Sequence, residues 1–126
     1  MTQEQKDLLL KDLCARLPYG VRCLYFDAEG NKHIDLLNAV FPNDDMILVG
    51  KCSIDYSDSD ILGVVPYLFP LSNMTEEQEE EYCTMYEENR YSWRENIIDW
   101  FNKNHFDYRN LIDKNLAIDC TNLNIY

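Results

Sequence analysis

The sequence predicts an α+β domain, a small three-stranded antiparallel meander packed by three to four helices, with a mostly helical C-terminal half. Three observations lead there. Two short apolar runs flank the turn-forming residues Ala28-Glu29-Gly30-Asn31, helical patterns open with capping-box residues at Thr2 and Thr75, and neither Gly nor Pro occurs after Thr75. With 126 residues, 46% of them hydrophobic and 13% aromatic, the chain has enough apolar surface for one core, so residues 1–126 are read as a single globular domain.

Thr2 with Gln5 forms the first capping-box pattern, and Leu9, Leu10, Leu13 and Leu17 recur at helical spacing, so a helix is expected over residues 3–17. Pro18 and Gly20 stop it. Residues 21–27 and 32–37 then read as a hairpin. A turn centred on Glu29-Gly30 would put Tyr25 opposite Ile34, Cys23 opposite Leu36 and His33 opposite Phe26. Residues 46–54 supply the third strand, and the first helix covers the inner face.

Residues 55–74 read as irregular, with a short helical turn around 61–65, because the Asp/Ser-rich segment favours turns and Pro66 and Pro70 interrupt longer elements. Thr75 with Gln78 starts the next helix. One helix over 76–103 would be about 42 Å long, too long for a domain of this size, so a break is expected near Tyr91, with Ser92 and Glu95 capping a second helix over 93–103. Trp93, Ile97, Trp100 and Phe101 would share one face of it. Asp107 would cap another short helix, and residues 116–118 would add a terminal strand.

The formal net charge is -12, from 23 acidic and 11 basic residues, and it is unevenly placed. Residues 1–43, 44–88 and 89–126 carry -1, -11 and 0. A field of that sign repels a nucleic-acid backbone and attracts basic surfaces, so direct nucleic-acid binding is not expected. The longest apolar run contains Gly63, Pro66 and Pro70 and is too short and broken to span a membrane, and the first residues lack a basic-then-apolar leader. Five widely spaced cysteines fit free thiols in the cytoplasm.

Catalytic, metal and cofactor chemistry find little support. The two histidines, His33 and His105, lie far apart in sequence, and the carboxylates and hydroxyls of 55–60 place Asp60 and Pro66 where a calcium loop needs Gly and Glu. In the expected hairpin register Cys23 and His33 point to opposite sides of the sheet, so no thiol–imidazole pair forms. No catalytic, metal-binding or cofactor-binding residue is therefore assigned, and the protein is read as a non-enzyme.

The strongest candidate for a binding surface is the acidic helix. Glu76, Glu77, Glu79, Glu80, Glu81, Glu87 and Glu88 surround Tyr82, Met85 and Tyr86, a narrow apolar stripe on a negative helix, suited to a partner protein with a basic surface. One version of that reading is a nucleic-acid mimic. A second candidate interface is the aromatic and polar stretch of 99–109, formed by His105, Tyr108 and Arg109, with Tyr108 and Arg109 exposed. It supports a competing reading, a small-molecule or nucleotide-binding module with hydrolytic activity.

Three segments, residues 8–21 (LLLKDLCARLPYGV), 66–77 (PYLFPLSNMTEE) and 99–112 (DWFNKNHFDYRNLI), together resemble a family of short uncharacterised proteins encoded by phages and mobile elements of gut bacteria. Phe69 and Phe101 stand where that family's pattern has Arg and Leu. The resemblance implies a small accessory protein acting inside a bacterial host cell, of a kind that works by binding a host or phage protein.

Overall fold

The computed structural model describes residues 2–57, 63–88 and 93–126, with the side chains of 93 and 94 excepted. The α+β class holds, but the sheet is larger than expected: among the described residues it has seven strands, mixed in direction, in the order β4-β3-β2-β1-β5-β6, with β7 also paired to β5. The elements are α1 (Gln3–Arg16), β1 (Arg22–Phe26), β2 (Lys32–Phe41), β3 (Met46–Val49), β4 (Cys52–Asp55), β5 (Val64–Pro70), α2 (Glu76–Glu88), α3 (Trp93–Lys103), β6 (Phe106–Asp107) and β7 (Ile118–Asp119).

α1 begins at the expected capping box, with the Gln5 amide donating to Thr2 Oγ1 and the Thr2 amide donating to Gln5 Oε1. Its buried residues Leu9, Asp12, Leu13 and Arg16 form one face, laid against the inner side of the sheet. Leu9 and Leu13 meet Val21, Cys23, Tyr25, Leu37, Ile47 and Val49 there, and Leu111 and Leu116 close the same core.

The hairpin forms one residue out of the expected register. Cys23 pairs with Asp35, Leu24 with Ile34, and Tyr25 with His33. The cause is Asp27. Its carbonyl accepts from the Gly30 amide, its amide donates to the Asn31 carbonyl, and its carboxylate accepts from the amides of Glu29 and Asn31, while Gly30 takes φ +85°. The result is a three-residue loop, and a one-residue slip moves every side chain of β2 to the other face. Cys23 and His33 therefore share the inner face, contrary to the expectation. They still do not form a pair, because Cys23 is buried while the His33 ring stacks on Tyr25 and its Nε2 lies 2.7 Å from Asp27 Oδ2.

The expected third strand is two, β3 and β4, paired antiparallel through the turn at Gly50-Lys51. Gly50 has φ +58°, and a Cβ there would collide with the Asp35 carboxylate. Gly50→Ala is expected to destabilise the fold by about 1–3 kcal/mol, the sum of left-handed strain and crowding, read as a lower urea midpoint. Adding Asp35→Ala should recover only the crowding part.

Residues 64–70 were expected to be irregular and are instead the hub strand. β5 pairs antiparallel with β1 and parallel with β6 and β7. Its near-continuous apolar run suits a strand covered on both faces. Pro66 is tolerated because β7 joins only from Tyr67, so the missing N–H breaks no ladder on that side. Val64 and Val65 are therefore strand residues and not part of a helical turn, while residues 58–62 lie outside the described residues. The second half is correspondingly less helical than expected. The Asp107 carboxylate accepts from the Leu111 and Ile112 amides, but the segment it caps is a series of turns, and Asp107 itself belongs to β6. The terminal strand starts later than expected, at Ile118.

Within 76–103 the described residues form α2 and α3, which pack on each other. The break near Tyr91 and the Ser92 cap fall outside the described residues. Among the described residues, no helix is long and apolar enough to cross a membrane.

Candidate binding groove on the acidic helix

The Gln78 amide donates to Thr75 Oγ1, and the Thr75 amide donates to Gln78 Oε1, the capping box that fixes where α2 starts. Glu76, Glu77 and Glu79 then occupy its first turn, where the helix dipole favours negative charge. All seven glutamates of α2 are exposed, the helix contains no Lys or Arg, and none of its residues is fully buried.

What ties α2 down is aromatic. The half-buried Tyr82 ring lies 6.3 Å from Trp100 and 6.1 Å from Phe101, centroid to centroid, and Trp100 Nε1 donates to Glu81 Oε2 at 3.0 Å. Trp100 in turn stacks on Phe106 and Phe101 on Tyr108, so α3 carries the contact down to the sheet and to the α1 side. Tyr82, expected on the binding surface, is thus the tether, whereas Tyr86 is more than half exposed. Between α2 and α3 runs an open groove of about 570 Å³, walled by Glu77, Glu80 and Glu81 and floored by Met85 and Trp100. A smaller hollow of about 350 Å³ continues past Met85 and Trp100 to Tyr19 and Lys103. Carboxylates above an apolar floor are the arrangement that receives a long basic side chain, whose methylenes pack while its charge is met. Glu87 and Glu88 extend the negative face beyond the groove.

The second candidate interface is corrected. Tyr108 and Arg109 turn inward onto α1 rather than outward, and His105 packs on Tyr126. Arg16 is fully buried, with Nε 2.7 Å from Asp12 Oδ2 and a nitrogen donating to the Phe106 carbonyl at 2.6 Å. Arg109 Nε stands 3.7 Å from the other Asp12 oxygen, and the Tyr108 ring lies under both guanidinium groups, at 5.3 Å and 4.8 Å. The His105 ring stacks on Tyr126 at 3.7 Å, and burial, helped by the Arg16 charge, lowers its pKa to about 4. Asp12, Arg16 and Arg109 form an ion-pair network, with the Tyr108 ring against both guanidinium groups, that joins α1 to the turn after α3.

Asp12 and Arg16 were missed in the sequence. The signal that marks them is an acid and a base four residues apart on the face that also carries Leu9 and Leu13. In the Asp55 segment, Asp55 Oδ1 accepts from the Ser57 amide, an ordinary turn bond, and residues 58–60 lie outside the described residues. Among the described residues, no cluster of three or more His, Cys, Asp or Glu is placed to hold a metal ion. No family model, curated protein or solved structure matches the chain.

Proposed function

We propose that this chain is a non-enzymatic acidic accessory protein that binds a basic protein partner through α2, seating Lys or Arg side chains in the groove between α2 and α3. The observation that carries this reading is a base-free helix with all seven glutamates exposed, beside an open groove that combines carboxylate walls with an apolar floor. Charge speeds the encounter, and Met85, Tyr86 and Trp100 supply the apolar contact. The family resemblance points to a host or phage protein as partner and to the bacterial cytoplasm as the place of action.

Nucleic-acid mimicry is the more specific form of the proposal. Five of its carboxylates crowd residues 76–81, a run of about 9 Å, and two more follow at Glu87 and Glu88, so α2 presents two dense clusters of negative charge to a phosphate-binding groove.

The test is capture from bacterial lysate on the immobilised protein, beside a variant with Glu76, Glu77, Glu79, Glu80 and Glu81 changed to Gln. The native protein should retain a basic partner that the variant loses, with affinity falling roughly tenfold or more between 50 and 300 mM salt. Equal recovery by both forms sinks the proposal. Release of the partner by added DNA or RNA supports mimicry, and indifference to both removes that form alone.

A further inference from the structure

The groove between α2 and α3 is uneven in charge along its length. On α2 its wall is Glu77, Glu80, Glu81, Thr84 and Met85, which recur at spacings of three and four and so share one face of that helix. The opposite wall is the face of α3 that carries Asn96, Asp99, Trp100 and Lys103. Met85 and Trp100 border both hollows and mark where one passes into the other. One end therefore holds three carboxylates, while at the far end the charges of Asp99 and Lys103 offset each other. An entering cation settles at the glutamate end.

Trp100 is fixed before any ligand arrives. Phe106 stacks on the indole, with centroids 5.6 Å and planes 25° apart, and Phe101 and Tyr82 meet it at tilts of 57° and 55°. Its one hydrogen-bond donor, the Nε1–H, goes to Glu81 Oε2. What the ring still has to offer the groove is the π face turned away from Phe106. Glu81 is held at the rim by that same bond, and a carboxylate can accept further donors.

We infer that the glutamate end is an arginine socket, in which a guanidinium of the partner lies flat on Trp100 and directs its N–H groups to Glu77, Glu80 and Glu81, so that Trp100 sets a preference for arginine over lysine. This rests on the groove being the contact for a basic partner. Charge alone does not distinguish the two side chains, but the indole does. A guanidinium is planar and weakly hydrated, with its donors in its own plane, so it stacks and pairs at the same time; an ammonium is a compact, strongly hydrated point charge that must shed water to approach a ring. Because the preference comes from stacking and the two cations carry equal charge, salt weakens the binding of both and leaves their ratio unchanged.

The test uses two fluorescein-labelled peptides of equal charge, nonalysine and the same peptide with one central arginine, titrated with the full chain by anisotropy at 50 and 150 mM NaCl. The single arginine should tighten binding roughly threefold to fivefold at both salts. Trp100→Phe, which keeps an aromatic ring against Phe106 and Tyr82, should lower that ratio to less than about twofold with an unchanged circular-dichroism spectrum, since indole is the stronger cation-binding ring. A readout on the native chain is independent of how that variant folds: in proton–nitrogen correlation spectra, the indole Nε1 resonance of Trp100 should move further at saturation with the arginine peptide than with nonalysine. Equal affinities for the two peptides, both lost when the five glutamates of 76–81 are changed to Gln, overturn the socket and leave the groove reading standing. An arginine preference that leaves the Trp100 resonance unmoved, or that a folded Trp100→Phe keeps in full, also overturns it. Binding that survives the five Gln changes, or no binding of either peptide, removes the groove reading and the socket with it.

Discussion

Arg16→Met is expected to remove about 3–5 kcal/mol of stability and to lower the melting temperature by roughly 10–20 °C. Arg16 and Asp12 are both fully buried, and Arg16 Nε meets Asp12 Oδ2 at 2.7 Å. Methionine fills similar space but leaves the Asp12 carboxylate inside the core with only the more distant Arg109 to answer it. It also strips the Phe106 carbonyl of its donor, so the join between α1 and β6 loosens together with the ion pair. The double variant Asp12→Leu/Arg16→Met separates the pair from the penalty of an orphaned charge. It should recover most of the loss, because a buried ion pair replaced by apolar groups of similar volume is often neutral. A single variant as stable as the native chain in thermal unfolding would show that Arg109 alone neutralises Asp12.

Acid should destabilise the protein in two separate steps. His105 has a folded-state pKa of about 4 against an ordinary 6.5, because burial disfavours its charged form. Above pH 6.5 both folded and unfolded chains hold it neutral and it has no effect. As pH falls from 6.5 towards 4, the unfolded chain binds a proton that the folded one refuses, and stability drops. The full shift corresponds to roughly 3 kcal/mol, which residual solvent contact of the ring reduces to about 1–2 kcal/mol. Asp27 acts lower down. Its pKa is pulled to about 2, first by the hydrogen bond from His33, so its contribution is present above the ordinary 3.8 and is lost between 3.8 and 2. His105→Asn is the informative variant, because His105 has φ +62°, a left-handed backbone that asparagine accepts readily. Urea midpoints measured from pH 7 to 3 should show the upper step flattened in that variant and the lower step retained. An unchanged upper step would assign the acid sensitivity to other groups.

The sequence was most legible where local chemistry decides the outcome. Thr2 and Thr75 cap helices because a hydroxyl three residues before a glutamine meets its needs within one turn, whatever the rest of the chain does. The charge segregation likewise survived folding unchanged, since glutamates on a helix of this composition have nowhere to go but water. Tertiary partners decided the rest. Residues 64–70 look like a loop because proline argues against a strand, and only the arrangement of β1, β6 and β7 around them makes Pro66 harmless. The hairpin register turned on one carboxylate, Asp27, gathering two amides. His105, Tyr108 and Arg109 carried the signature of an interface, yet Tyr108 and Arg109 meet the buried Asp12 and Arg16, far away in sequence on α1, and His105 stacks on Tyr126.

The chain leaves β5 after Pro70 and returns at Phe106, which lies beside Phe69, the residue before its point of departure. Residues 71–105, including the acidic helix, are therefore an excursion that begins and ends at neighbouring positions on one edge of the sheet. An excursion of this kind can be lengthened, shortened or rewritten without moving the strands that flank it, provided that Trp100 still reaches Phe106. The recognition surface and the scaffold can thus change on separate schedules. A lineage confronted with a new basic partner would need to alter only the residues of α2 that face solvent, leaving the core untouched.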